Sequence, residues 1–509
     1  MSELPFVHAT VVHMLHDAAA QNPDGEALVC GAERLTYSQY FGAVSSFAHE
    51  LVAGGMAGER VALLIGNSID IAVATFAVQA AGAQVVPLNP AYTVHELLPI
   101  LRDSAPAMLI YDAALKATVA PVVIEAGITQ TIKIGASARR LNSGDGPLPP
   151  FPDPQSLSTL QYTGGTTGRS KGVDLTHRAI ATNVSQREAL LPTEKDSDRV
   201  LAITPLFHVY ATAMCLYLAA YCRGTLVILP RYHPRLVLEA IAEERISLLA
   251  SSPTIFSGLM GFEDFAKADF SSLRLCYSGA SALSPELLRR WQDATGTIIC
   301  EGFGQTETGP VLAFNPANGV RKPGSVGIVV PQTQVEIADT NDGDKQVATG
   351  QQGEIRARGP QLMSSYRNMP EQTASTLRKG WLYTGDIGWM DADGYLHISD
   401  RKKDMVIVGG FNVYSREVED ALLQHGGVAE AAVIGRPDSY RGESLHAYVV
   451  PRSTAPLSSE VLATHLSQLL TAYKLPKHIE IVATLPKTAI GKIDKDQLRR
   501  QSAAPAKTE

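Results

Sequence analysis

Short apolar runs and amphipathic stretches alternate through much of the chain. Arg60-Val61-Ala62-Leu63-Leu64-Ile65 is closed by Gly66-Asn67-Ser68, and Gln84-Val85-Val86-Pro87-Leu88 and Ala107-Met108-Leu109-Ile110-Tyr111 repeat the pattern. Runs of this length predict buried strands. Between and before them, Leu35 to Leu51, Ile69 to Ala81 and Glu96 to Asp103 read as helices. Strand and helix in turn predict βαβ units around a parallel sheet. The alternation resumes with strands at Leu226–Leu229, Leu248–Ala250 and Leu273–Tyr277 and a helix over Pro234–Glu244. Ser284-Pro285-Glu286 starts another helix, with a hydroxyl cap and proline in the first turn.

The pattern changes from Gly324 to Ala357, where short β-rich runs are broken by Asp-Gly and Thr-Gly turns. Residues 138–156, rich in Gly, Pro and Ser, and the tail after Gln501 read as flexible segments. A boundary is expected at Ser399-Asp400-Arg401-Lys402-Lys403-Asp404, followed by the apolar run Met405–Val408 and a helix from Ser415. The expected fold is therefore α/β. A large N-terminal domain (1–400) has parallel or mixed sheets flanked by helices and a β-rich part, and a small α+β domain (401–509) follows.

At 509 residues two or more domains are expected, with 45% hydrophobic and 19% charged residues. Net charge of −7 gives no electrostatic case for nucleic acid. Cys30, Cys215, Cys222, Cys276 and Cys300 form no C-x-x-C pair, so neither a zinc site nor a disulfide framework is indicated. No signal peptide is visible at the N-terminus. Leu201 to Cys222 lacks Asp, Glu, Lys and Arg, yet it contains Pro205 and His208, and it reads as a buried helix beside a binding site rather than a span. A cytoplasmic enzyme without a transmembrane segment is expected, as monomer or homodimer, with peripheral membrane contact left open.

Candidate chemistry centres on Tyr162-Thr163-Gly164-Gly165-Thr166-Thr167-Gly168-Arg169-Ser170-Lys171-Gly172. Glycines allow peptide N–H groups to approach an anion, hydroxyls add donors and metal ligands, and Lys171 adds a compact positive charge. A polyphosphate suits that combination. The P-loop pattern fails, because Arg169-Ser170 separates Gly168 from Lys171 and Gly172 follows the lysine.

Further stretches join this loop in order: Pro205-Leu206-Phe207-His208, Tyr277-Ser278-Gly279-Ala280, Glu301-Gly302-Phe303-Gly304-Gln305-Thr306-Glu307, Tyr383-Thr384-Gly385-Asp386, Asp400 to Asp404, and Pro486-Lys487-Thr488 through Gly491-Lys492. The set resembles the adenylate-forming family of acyl-CoA synthetases, aryl-CoA ligases, beetle luciferases and peptide-synthetase adenylation domains. That resemblance runs from about Leu35 to Arg499. It implies a mobile C-terminal lid and two half-reactions. A carboxylate attacks the α-phosphate of ATP to give acyl-AMP and pyrophosphate, and a thiol then displaces AMP.

Carried onto this sequence, the resemblance implies ATP contacts from Thr163, Gly164, Gly165, Thr166, Thr167, Gly168, Lys171, Gly279, Ala280, Glu301, Gly302 and Phe303. Thr306 would meet the α-phosphate, and Asp386 with Arg401 the ribose. Thr166 and Glu307 would hold Mg²⁺, a cation that prefers oxygen. Lys492 is the expected catalytic lysine of adenylation, and His208 matches the position that opens or blocks the thiol channel. The lid would turn at Lys403, bringing Gly409, Gly410 and Phe411 to the coenzyme A channel. An acyl pocket is expected from His208, Tyr210, Ala211, Met214, Gly279, Gly304, Gln305, Pro310 and Val311.

His208-Val209-Tyr210 offers no acidic counter-ion for an amino acid's ammonium, which would be costly to bury unpaired. Lys402-Lys403-Asp404-Met405 and Leu160 to Gly165 resemble bacterial fatty-acyl-CoA synthetases, whereas Gly309-Pro310-Val311-Leu312 resembles 4-coumarate-type aryl-CoA ligases. A fatty or medium-chain acid is favoured over an aryl acid. Coenzyme A is favoured over a carrier protein as acceptor, and a non-catalytic nucleotide- or acyl-binding paralogue or luciferase-like oxidation is less favoured.

Overall fold

A computed structural model describes residues 3–135, 141, 144, 146–163, 170–279, 281, 283–340, 342–402, 404–408, 411–438, 442–452, 457–488 and 492–503. Two compact units divide the chain. The first comprises Met1–Gln334 and Ala357–Leu382, the second Val335–Arg356 and Tyr383–Glu509.

The expected alternation folds the first unit around two sheets. One has seven strands in the order 365–366, 171–176, 157–163, 84–87, 60–64, 108–112, 130–134. The runs at Arg60–Leu64, Gln84–Pro87 and Met108–Asp112 pair in parallel, as the spacing predicts. Their side chains alternate between two apolar layers. Val61 and Leu63 enter the central core, while Ala62 and Leu64 pack with Leu97, Ile100, Val119 and Val122 under the helices Val94–Ser104 and Lys116–Ala126. Both faces being covered explains why the interiors of these strands are apolar, with Arg60, Gln84 and Asp112 only at their ends.

The second sheet has nine strands, with parallel neighbours at its centre: Leu275–Ser278, Leu248–Ser251, Arg199–Ala202, Thr225–Ile228 and Glu26–Cys30. Its outer face closes over Trp291, which is 0% exposed with Phe256, Phe265 and Phe270 around it. Helices fill the layer between the sheets, among them Tyr37–Ala53 and Ile69–Ala80. Thr36 caps the first of these with Gln39 in a reciprocal box, a motif typically worth about 1 kcal/mol.

Three features depart from the pattern read along the chain. The helix Val11–Gln21 and the strands Glu26–Cys30 and Glu33–Thr36 precede the first predicted element. These strands are short, and the second places its one buried residue, Leu35, among polar neighbours, so no run of alternation marks it. Next, Leu201–Cys222 is not one helix. It begins in the strand Arg199–Ala202 and turns helical only at Val209, with a π-helical segment over Thr212–Tyr217. Absence of charge marked burial, which both elements share.

The third concerns domain limits. The expected division at residues 400 and 401 differs from the compact units, which group Val335–Arg356 and Tyr383–Asp400 with the C-terminal residues. The cause is pairing: Trp381–Met390 and Leu396–Arg401 form an antiparallel hairpin whose last rungs join Asp386 to Arg401 and Ile387 to Asp400. The boundary read from charge thus falls inside a paired strand. Farther on, Met405–Val408, Phe411–Tyr414, Val428–Asp438, Gly442–Pro451 and His478–Ile481 make a sheet over the helices Ser415–Leu423 and Ser459–Leu469, the expected α+β arrangement.

Candidate functional site

The strands Leu157–Thr163 and Lys171–Thr176 are antiparallel, and Thr163 is the register partner of Lys171. The glycine-threonine stretch is therefore the connection of a hairpin, with these two predicted residues at its base. Gly164, Gly165, Thr166, Thr167 and Gly168 lie outside the described residues.

Lys171 and Glu307 meet through a residue that no motif announced. The Lys171 ammonium lies 4.9 Å from the centre of the Tyr366 ring, and the Tyr366 hydroxyl donates to Glu307 Oε1 at 2.7 Å. Tyr366 sits in the short strand Ser365–Tyr366, which pairs with Asp174 and Val173 just beyond Lys171. Two backbone bonds bring it there: Met363 N–H donates to the Glu307 carbonyl at 3.0 Å and Ser364 N–H to the Asp174 carbonyl at 2.9 Å. Burial, then the Glu307 charge, hold its phenol well above the ordinary tyrosine range. It therefore remains a donor at any physiological pH. Neither the long-range pairing nor the hydroxyl's target leaves a mark in the local sequence.

Thr306 opens a one-turn helix, Thr306–Thr308, and is 8% exposed. The turn is tied down by Gln305 N–H donating to Thr308 Oγ1 at 2.8 Å. Gly304 is required by close approach, since a Cβ there would lie 1.7 Å from the Pro310 carbonyl oxygen. Phe303 is half-buried at the end of the strand Ile299–Phe303, which also carries Glu301 and Gly302. Buried Glu301 accepts from Leu283 N–H at 2.9 Å and so anchors the turn that follows Gly279. Ala280 in that turn lies outside the described residues.

Among the expected acyl-pocket residues, Tyr210 and Gly279 are in contact: a Cβ on Gly279 would come within 3.0 Å of Tyr210 Cε2. His208 caps the first helical turn, its Nδ1 accepting from Tyr210 N–H at 3.3 Å. Ala211 and Met214 are buried in the central core. Val311 is held at both backbone groups by Asn183, at 2.9 and 2.8 Å. Behind the helical segment, a small cavity bordered by Val85, Gln161, Val209, Ala213, Tyr217 and Pro310 leaves about 20 Å³ to the centre of a water-sized sphere. That is room for a water or two. Of the expected pocket residues, only Pro310 borders it.

Arg187 was also missed. It is 1% exposed, pairs with Glu188 at 2.9 Å and donates to the Tyr277 hydroxyl with its guanidinium 4.7 Å from that ring's centre. It backs the strand Leu275–Ser278, which is followed by Gly279. In sequence it is one cation in an ordinary helix.

In the second unit, Asp386 is 4% exposed and is the cross-strand partner of Arg401, so the two residues expected at the ribose are backbone neighbours. Glu354, absent from any motif, holds the strand backbone next to Asp386. It accepts from Gly385 N–H at 3.2 Å and from Lys402 Nζ at 2.9 Å. Lys492 lies beside the bridge between Lys487 and Ile493, and its carbonyl accepts from Thr488 N–H at 2.7 Å. Lys403, Gly409 and Gly410 lie outside the described residues, as does the side chain of Phe411.

A profile of the AMP-binding enzyme family matches residues 15–367, and one of the AMP-binding enzyme C-terminal domain matches residues 417–492. The chain belongs to the AMP-binding enzyme family. Within it, a long-chain-fatty-acid–CoA ligase of Bacillus subtilis is 36% identical, covering 96% of this chain and 94% of its own. A feruloyl-CoA synthase of Amycolatopsis is 36% identical over 95% of this chain and 97% of its own. ATP-bound MatB from Rhodopseudomonas palustris superposes with a TM-score of 0.91 at 31% identity, covering 97% and 98%. As a family member, the chain is an AMP-forming acid–thiol ligase that uses ATP, Mg²⁺ and coenzyme A.

The donor set fits that metal. Glu307 turns Oε1 to Tyr366, and among the described residues nothing donates to Oε2, which leaves one hard oxygen for a cation. Mg²⁺ is commonly held by one or two carboxylates plus water and substrate phosphates, so a dense ligand cluster is not needed.

Proposed function

We propose that this enzyme activates a fatty or medium-chain carboxylic acid and passes the acyl group to coenzyme A. The observation carrying this reading is the wall formed where Tyr210 packs on Gly279, with no acidic side chain in the His208-Val209-Tyr210 turn to receive an ammonium. The relatives named for long-chain fatty acids support it.

In the first half-reaction a carboxylate oxygen attacks the α-phosphorus of ATP, and the bond to the bridging oxygen breaks to release pyrophosphate. Two anions must approach, and Lys492 lowers that repulsion at the bond being formed. A preorganised donor of this kind is typically worth about 10²–10³ in rate. Thr306 serves the α-phosphate, Asp386 and Arg401 the ribose hydroxyls, and Thr163 through Lys171 the departing phosphates. Glu307 and Thr166 hold Mg²⁺, which neutralises phosphate charge when bound. In the second half-reaction the coenzyme A thiolate attacks the acyl carbon, and the carbon–oxygen bond to AMP breaks. Residues 401–509 act as the lid, turning at Lys403, with His208 and Gly409 to Phe411 serving the thiol's path. The reading places the enzyme in the cytoplasm, and among the described residues no helix is long and apolar enough to cross a membrane.

An aryl acid is the second reading, supported by Gly309-Pro310-Val311-Leu312 and the feruloyl-CoA synthase relative. A panel of fatty, medium-chain and aryl acids, assayed by pyrophosphate release with and without coenzyme A, separates the two. The highest kcat/KM is expected for a fatty or medium-chain acid, with AMP release dependent on coenzyme A. An aryl acid ranking first would replace the substrate assignment, and faster turnover with a carrier protein would replace the acceptor.

A further inference from the structure

The residues just after Lys492 are held by a dense set of bonds. Asp494 N–H donates to the Pro486 carbonyl at 2.8 Å and its Oδ1 accepts from Gln497 N–H at 2.8 Å, closing the loop and capping the helix Lys495–Ala503. Three residues beyond Lys492, the Lys495 ammonium reaches Glu419 Oε1 and Ser415 Oγ, each at 2.7 Å. The Lys495 and Glu419 side chains are only 16% and 13% exposed. Glu419 Oε1 also accepts from Val433 N–H at 2.6 Å, and Ser415 Oγ donates to Asp400 Oδ2 at 2.8 Å. Asp400 further accepts from Arg416 N–H at 3.1 Å. One turn on, Arg499 joins Asp404 Oδ1 at 2.5 Å and Asp496 Oδ1 at 2.7 Å.

Both ends of the Asp400-Arg401-Lys402-Lys403-Asp404 stretch are thus tied to the helix that begins just after Lys492. A largely buried ion pair is weak evidence for stability, since desolvation offsets most of its attraction. Burial lowers the proton affinity of Lys495, and the Glu419, Asp400 and Asp404 carboxylates outweigh it, so the ammonium stays charged. Its directional bonds specify a position.

We infer that Lys495 is a positioning residue: through Glu419, Ser415 and Asp400 it locks the Lys492 loop to the segment about which the lid turns. Lys492 then moves with that segment as one body, and adenylation depends on the lock while thioester formation does not. This rests on the adenylation role proposed for Lys492.

Lys495→Met, Lys495→Arg, the double variant Lys495→Met/Glu419→Gln and Lys492→Ala test it in the full-length enzyme. Each is assayed for pyrophosphate release, for thioester formation from pre-made acyl-AMP and coenzyme A, and for Tm. A displacement near 1 Å at a reacting group costs about 10²-fold. Lys495→Met is expected to lower the adenylation kcat by about 10–100-fold, with the KM for ATP little changed and thioester formation preserved. Lys495→Arg, which keeps a donor, restores most of the rate. The double variant removes both charges of the Lys495–Glu419 pair and keeps an acceptor for Val433, so its Tm recovers while adenylation stays slow. Equal loss in both half-reactions, or recovery of adenylation along with Tm in the double variant, would overturn the inference. Intact adenylation in Lys492→Ala would instead overturn the role of Lys492 itself.

Discussion

Tyr366→Phe isolates a single hydrogen bond at the proposed metal ligand. The hydroxyl lies 2.7 Å from Glu307 Oε1, and a bond to an ionised acceptor is worth about 1.5–3 kcal/mol. The phenylalanine ring keeps the packing of a side chain that is 6% exposed, and it keeps the cation–π contact with Lys171 at 4.9 Å. What is lost is the restraint that aims Glu307. Partners that orient a metal-binding group typically contribute about 10–100-fold in affinity, in line with the energy of the bond, since about 1.4 kcal/mol is a factor of ten. Pyrophosphate release measured against Mg²⁺ concentration at saturating ATP should show half-saturation raised by about 10–100-fold. Tm should fall by only a few degrees. Because the phenol is held above its ordinary range, the effect should be the same from pH 6 to pH 9. An unchanged Mg²⁺ requirement would refute the assignment of Glu307 to the metal.

His177 is 1% exposed, and burial pushes its imidazole down to about 4. The folded enzyme thus resists a proton that the unfolded chain accepts near 6.5. Stability is full above that value and falls as pH drops toward 4, by about 3 kcal/mol in all. His177→Asn should flatten the decline of the urea midpoint between pH 7 and pH 4, and an unaltered decline would count against it. Trp291→Ala should cost about 3–5 kcal/mol, because the Phe256, Phe265 and Phe270 rings cannot close the space. Chemical denaturation would show this, and a loss below 1 kcal/mol would mean that the outer layer repacks freely.

Much of the first unit could be read from periodicity because its strands are covered on both faces, as Val61 and Ala62 show by entering different cores. The motifs singled out Glu307, Asp386 and Lys492 as candidates because each lies in a short run of unusual composition. Tyr366, Glu354 and Arg187 escaped notice for the opposite reason. They act through long-range hydrogen bonds, Tyr366 to Glu307, Glu354 to Gly385 and Lys402, and Arg187 to Tyr277, and nothing local distinguishes them from a surface tyrosine, glutamate or arginine. The compact units divide at residues other than 400 and 401, again through long-range pairing. The charged stretch from Asp400 to Asp404 looks like a solvated hinge, yet Asp400 and Arg401 are rungs of a hairpin.

The second unit draws on two separate stretches, Val335–Arg356 and Tyr383–Glu509. During synthesis the first stretch leaves the ribosome about two dozen residues ahead of the second. At about 5–20 residues per second this is a wait of roughly one to five seconds. Throughout it, Gly353–Arg358 has the earlier strand Gln334–Ala338 beside it but not its later neighbour Trp381–Met390. A nascent chain stalled in that interval would present an unpaired strand edge, a template for association with other chains. A chain truncated before Tyr383 would carry the same open edge permanently, and is expected to precipitate where the full-length enzyme does not.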